Sequence, residues 1–223
     1  MRDDAARMAD PEPAQLLSWL EQGALTLLGH LTRHRDGRQS EALGICRKSA
    51  KSLLADVTYD RAFAWFGQRG IEAAPLIIKA NLTSNVHRRV PLDLFLIPII
   101  EGKKVSALSV HAGVWTSAAL ATPPQQVPVL RKSLAHLLDA LDLDAGGHTG
   151  KSLVHALTAL PHDLIIGFEP ADLERVTTAM MSLVDRPRPR LALVESPLSR
   201  HLFAFVWLPR DLISTEVRQR ITE

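Results

Sequence analysis

The sequence predicts a mixed α/β protein. A strand-rich centre of apolar, β-branched runs comes first. Three amphipathic segments at helical spacing follow, and two further short strands close the chain. With 223 residues, 46% of them hydrophobic and 22% charged, the chain is long and apolar enough to bury a core.

Taken in order, residues 1–12 read as a polar, flexible leader. Ala14 to Gln22 places Leu16, Leu17 and Leu20 on one helical face and stops at Gly23. Leu25 to Leu31 reads as a strand, Asp36-Gly37 as its turn, and Ala42–Arg47 as the returning strand. Tyr59 to Gly70 reads as a helix with Phe63 and Phe66 three apart. Leu76–Ile78 leads into Lys79. Leu92–Ile100 and Val105–Val110 form a hairpin through Glu101–Lys104. Pro98 removes a ladder donor, which predicts an edge or a bulge there, and the strand that holds it is apolar on both faces, which predicts cover on both sides.

Val127–Leu141, Leu153–Leu160 and Leu173–Leu183 repeat apolar residues at helical spacing, with Pro161 ending the second and Pro170 opening the third. Arg186–Arg190 is an extended basic connector. Leu191–Val194 and Leu202–Leu208 read as strands around Ser196–Arg200, and Ile213–Ile221 begins a last helix. Two strands and one helix make an unfinished layer, so the chain is expected to be part of a longer protein.

Several function classes lack support. Twenty-six basic against 24 acidic residues, with basic clusters not interleaved with aromatics, argue against nucleic acid and against a membrane surface. No apolar run approaches a membrane span, and the N-terminus lacks a secretory apolar region, so a cytoplasmic location is expected. The lone Cys46 reads as a core residue. The nine histidines show no metal-ligand spacing. Ala145–Ser152 nearly spells a phosphate-binding loop, but Ala145 stands where the first glycine belongs and the segment leaves a helix instead of a strand. The expectation there is a helix–helix connection, with Gly146 and Gly147 ending one helix and Thr149 capping the next. No nucleophile elbow and no dinucleotide fingerprint occurs. The most polar stretch between strands is Lys79–Arg88. It offers Lys79, Asn81, Ser84, His87 and Arg88 as donors for an anion or small effector, or else bonds its own backbone as a solvated loop.

That stretch also carries a resemblance. Lys79-Ala80-Asn81, Ser84, Val86-His87-Arg88, Val90, Leu92 and Asp93 resemble a segment of the large NAD-specific glutamate dehydrogenases of bacteria. The resemblance continues in order through Ser18-Trp19-Leu20, Thr26–His30, Thr116–Ala119, Val127–Lys132, His148–Leu153, Arg186–Leu191, Val206–Asp211 and Thr215–Ile221. It spans about residues 14 to 223 and assigns the Gly150-Lys151-Ser152 stretch to this family's pattern, not to a nucleotide loop.

The resemblance implies a PAS-like α/β module over residues 13–122, a helical connection over 123–185, and an incomplete ACT-like module over 186–223. It implies a regulatory or assembly role beside a parent enzyme that converts L-glutamate, NAD and water to 2-oxoglutarate, ammonia and NADH. The matched region holds no catalytic, metal or NAD-binding motif, so this chain alone is expected to be inactive, with NAD a cofactor of the parent only. The expected partners are the rest of the parent enzyme or other subunits, with a small-molecule effector and a homo-oligomer as further expectations. The contacts singled out are Lys79, Asn81, Ser84, His87, Arg88, Pro209 and Arg210. The competing reading is a free-standing small-ligand-binding or adaptor module derived from the same region.

Overall fold

The computed structural model describes residues 1–47, 53–86, 88–102, 104–185 and 187–222. Among the described residues, seven strands form two antiparallel sheets. The large one is built from β1 (Leu25–His34), β2 (Gln39–Gly44), β3 (Leu76–Thr83), β4 (Pro91–Glu101) and β5 (Lys104–Trp115), in the order β2-β1-β5-β4-β3. The small one is a hairpin of β6 (Arg190–Glu195) and β7 (Leu202–Trp207).

The large sheet separates two cores, and the two-residue period of the strands decides which side chain enters which. On one face Leu92, Leu94 and Leu96 of β4 join Leu108, Val110, Ala112 and Val114 of β5 and Leu76 and Ile78 of β3. This face is covered by α3 (Asp56–Arg69) through Tyr59, Phe63 and Phe66, and by Cys46, Leu53 and Leu54. On the other face Phe95, Ile97, Ile77 and Trp115 meet Leu16, Leu17 and Leu20 of the N-terminal helices. The same core takes in Ala119 of α4 (Ser117–Ala121), Leu130, Leu134 and Leu137 of α5 (Leu130–Ala140), Leu153 and Leu157 of α6 (His148–Ala159), and Leu173 and Val176 of α8 (Pro170–Asp185). Both faces of β4 are thus covered within the chain, as its apolar run predicts.

The small hairpin is not left to close a core of its own. Its inward face presents Ala192 and Val194, with Phe203, Phe205 and Trp207 packed against the helices. The outward face leaves Leu191, Leu193, Leu202 and Val206 exposed. The last helix runs Thr215–Thr222, two residues later than its apolar pattern suggests.

Several expectations are corrected. Residues 1–12 are not a loose leader. Arg2–Ala6 forms a short helix, α1, that buries Asp4 and Ala5, and Pro11–Trp19 is already α2, capped by the Asp10 carboxylate, which accepts the Glu12 N–H. Charge density suggested looseness, but Asp4 has buried partners. The return strand is Gln39–Gly44, not Ala42–Arg47, because the Asp36-Gly37 turn is tight and pairing begins at once. Gly23, at φ +119°, ends the first helical segment as expected.

Pro98 lies in an internal strand, yet β3 starts at Leu76 opposite Leu96, so at Pro98 β4 has β5 alone as neighbour. The register shift falls next to it, between Ile99 and Ile100. The 141–148 connection uses different devices from those predicted. Leu143 N–H donates to Leu138 O, Asp142 takes a positive φ, and Thr149 lies inside α6, whose N-cap is Gly147 without a side-chain cap. Gly150 is required because an added Cβ would lie 2.1 Å from the Asp144 carbonyl oxygen.

Candidate functional site

Lys79, Asn81, Ser84 and Arg88 bond to other groups of the protein. Lys79 and Asp93 are cross-strand partners on the face that looks toward the helices. Lys79 Nζ donates to Asp93 Oδ1 at 2.6 Å and to Asp163 Oδ2 at 2.8 Å, the latter from α7 (His162–Ile165). One cation is therefore shared by two carboxylates where water is scarce. Asp93 is 2% exposed. Burial first, and then the Asp163 charge, push its carboxyl up to about 7, against the pull of Lys79 and Arg88. The two carboxylates hold the Lys79 ammonium above its ordinary range although burial opposes this.

The neighbouring residues act as ties. Arg200, from the β6–β7 turn, donates to the Lys79 carbonyl and to Asn81 Oδ1. Ser84 closes its own loop: its hydroxyl accepts from Val86 N–H and donates to Val86 O, both at 3.0 Å. Arg88 Nη2 donates to the Trp115 carbonyl at 2.7 Å, fastening this loop to the end of β5. His87 lies outside the described residues. Of the two readings offered by the sequence, the geometry matches the self-bonded one at Ser84, while Lys79 and Asn81 bond other segments.

Pro209 and Arg210 lie elsewhere. They line a cavity of about 740 Å³ between α6, α8 and the end of β7, together with Ser152, His155, Met180, Met181, Arg188 and Trp207. None of these residues lines the small crevice beside Lys79, Asp93 and Asp163. The residues grouped by sequence thus separate into an interior joint and a cavity rim.

A second buried polar cluster has no sequence signal at all. Asp4 Oδ2 accepts from His111 Nε2 at 2.6 Å and from Ser109 Oγ at 3.0 Å. Burial raises the Asp4 carboxyl, but the bonds and charge of His111 and the Ser109 bond outweigh it and hold the carboxyl well below the usual range. His30 Nε2 stands 3.1 Å from Ser109 Oγ, whose single proton serves either Asp4 or His30. Ser, His and Asp meet here, but Ser109 and His111 are 3% and 2% exposed, so no reacting carbonyl reaches them. The cluster holds α1 on the sheet. Its members are about a hundred residues apart in the chain, and no local pattern announces them.

Among the described residues, no set of three or more His, Cys, Asp or Glu is placed to hold a metal ion. No described helix is long and apolar enough to cross a membrane.

The structure thus defines a mixed α/β domain with an antiparallel sheet, in which buried charges join segments distant in sequence. Residues 127–186, the α5–α8 region, match the family model described as glutamate dehydrogenase, helical motif 1. Along nearly its whole length the chain is similar to NAD-specific glutamate dehydrogenases. It is 26% identical to the NAD-specific glutamate dehydrogenase of Halomonas elongata over 241 aligned residues, covering 99% of this chain and 15% of that protein. It is also 26% identical to the Pseudomonas aeruginosa protein of the same name, covering 95% of this chain and 14% of the relative. The chain thus spans about one-seventh of the length of these relatives. Among solved structures, an RNA-binding light-oxygen-voltage receptor aligns with 14% identity and a TM-score of 0.23, covering 87% of this chain and 62% of that one. A score that low carries no argument about fold or function.

Proposed function

We propose that this chain serves as a non-catalytic regulatory and assembly segment of an NAD-dependent glutamate dehydrogenase. The parent reaction would convert L-glutamate, NAD and water to 2-oxoglutarate, ammonia and NADH, with NAD bound by the parent outside this segment. One observation carries the reading. Similarity to two NAD-specific glutamate dehydrogenases runs along nearly the whole chain yet covers only about 15% of those proteins.

In this reading residues 13–122 are a PAS-like module, 123–185 a helical connection, and 186–223 the start of an ACT-like module. The Lys79–Asp93–Asp163 joint and the Arg200 ties couple the first to the other two. The partners are the remainder of the parent enzyme or further subunits, including copies of this chain.

The test is direct. The purified chain, given L-glutamate and NAD, is expected to form no NADH above buffer, and turnover would overturn the non-catalytic assignment. A chimaera of the Pseudomonas aeruginosa relative carrying this chain in place of its matched segment is expected to assemble and turn over. A chimaera that is soluble but unassembled would overturn the assembly role.

A further inference from the structure

We infer that the cavity between α6, α8 and the β7 end is a binding site for a small amphipathic carboxylate, a molecule with an apolar alkyl or aryl body and one anionic head. This goes beyond the assembly reading and does not depend on it.

The cavity measures about 740 Å³, inside the range of roughly 300–1,000 Å³ typical of small-molecule sites. Its walls are apolar and adaptable. Met180 and Met181 come from α8, Ala156 from α6, and Trp207 and Leu208 from the end of β7. Thioether side chains adjust to irregular apolar ligands at little cost, and an indole supplies a flat apolar face. A body without such surface would leave these walls wet.

The rim supplies the opposite chemistry. Arg188 and Arg210 line the opening, with Asp211 the one lining carboxylate. Neither arginine is ion-paired among the described residues, whereas Arg7, Arg33, Arg69, Arg131 and Arg175 each hold a carboxylate. A carboxylate meets a guanidinium in the forked geometry that arginine favours. Two exposed guanidinium groups without a carboxylate partner, at the rim of an apolar chamber, therefore select an anionic head on an apolar body.

The other large cavity lacks this combination. Lined by Arg69 with Glu72, Glu169, Asp172 and Glu195, it has one arginine, already paired with Glu169, among four carboxylates.

The test uses decanoate and naphthoate as probes on the full chain, titrated by calorimetry, with decanol as the uncharged control. Saturable binding of at least one acid at one molecule per chain is expected. Arg210→Glu, a change at an exposed rim position, is expected to weaken that binding at least tenfold, and decanol is expected to bind at least tenfold more weakly than decanoate. Met181→Trp fills the chamber and is expected to abolish binding. Circular dichroism of each variant separates loss of the site from loss of the fold, and Arg210→Glu decides if Met181→Trp unfolds. No saturation by either acid, equal affinity in Arg210→Glu, or decanol binding as tightly as decanoate would each overturn the proposal.

Discussion

Replacing Asp93 with Asn should flatten the pH dependence of stability. In the folded chain Asp93 keeps its proton up to about pH 7, because burial and the nearby Asp163 charge disfavour ionisation. In the unfolded chain it ionises near the ordinary aspartate value of 3.8. Between those limits the folded state binds more protons than the unfolded one, so stability falls as pH rises through this window and levels off above it. A displacement of about three units corresponds to about 4 kcal/mol at most. For a chain of this size that is roughly 10 °C in melting temperature. The assay is thermal unfolding of the parent and Asp93→Asn from about pH 4.5 to 7.5, read as the difference between them. Subtraction cancels the histidines, whose burial acts in the opposite sense. The variant should gain on the parent steadily as pH rises. Asp163→Asn should do the same in part, since it removes the second carboxylate that competes for Lys79. If the difference between Asp93→Asn and the parent is constant across the range, the raised carboxyl is refuted.

Other outcomes follow from the same contacts. Lys79→Met strips the shared cation from the buried Asp93 and the half-buried Asp163 and should cost about 3–5 kcal/mol in urea unfolding near neutral pH. Arg200→Ala cuts the ties from the β6–β7 turn to Lys79 and Asn81, so amide exchange should quicken in β6 and β7 before it changes in β4 and β5. Gly150→Ala drives a methyl into the Asp144 carbonyl and should destabilise by about 1–3 kcal/mol. His162 is fully buried, and burial holds its imidazole below the ordinary value, so its share of stability is present above about pH 6.5 and lost as pH falls. His162→Leu should reduce the loss of melting temperature between pH 7 and pH 5.

The elements were legible wherever one local period governs them. Leu92–Ile100 reads as a two-faced strand because both of its faces are apolar, and both are covered. The three apolar stripes after Val127 read as helices because each has one face to bury. The site was legible only by halves. Lys79 and Asp93 stand within one short motif, but Asp163 and Arg200 reach Lys79 from 84 and 121 residues away. No periodicity records a meeting of that kind. Asp4 was missed for the same reason: polar residues near a terminus look solvated until the buried His111 opposite them is known.

The alternation along β4 sets what kinds of change this region can accept over generations. Leu94 and Leu96 belong to one core while Phe95 and Ile97 belong to the other. Substitutions that keep size and apolar character can accumulate on either side independently. A single inserted or deleted residue would exchange the contents of the two cores along the rest of the strand. Descendants of this sequence should therefore drift freely in composition here while keeping the strand's length, and should vary in length only at turns such as Asp36-Gly37 or the 141–148 connection.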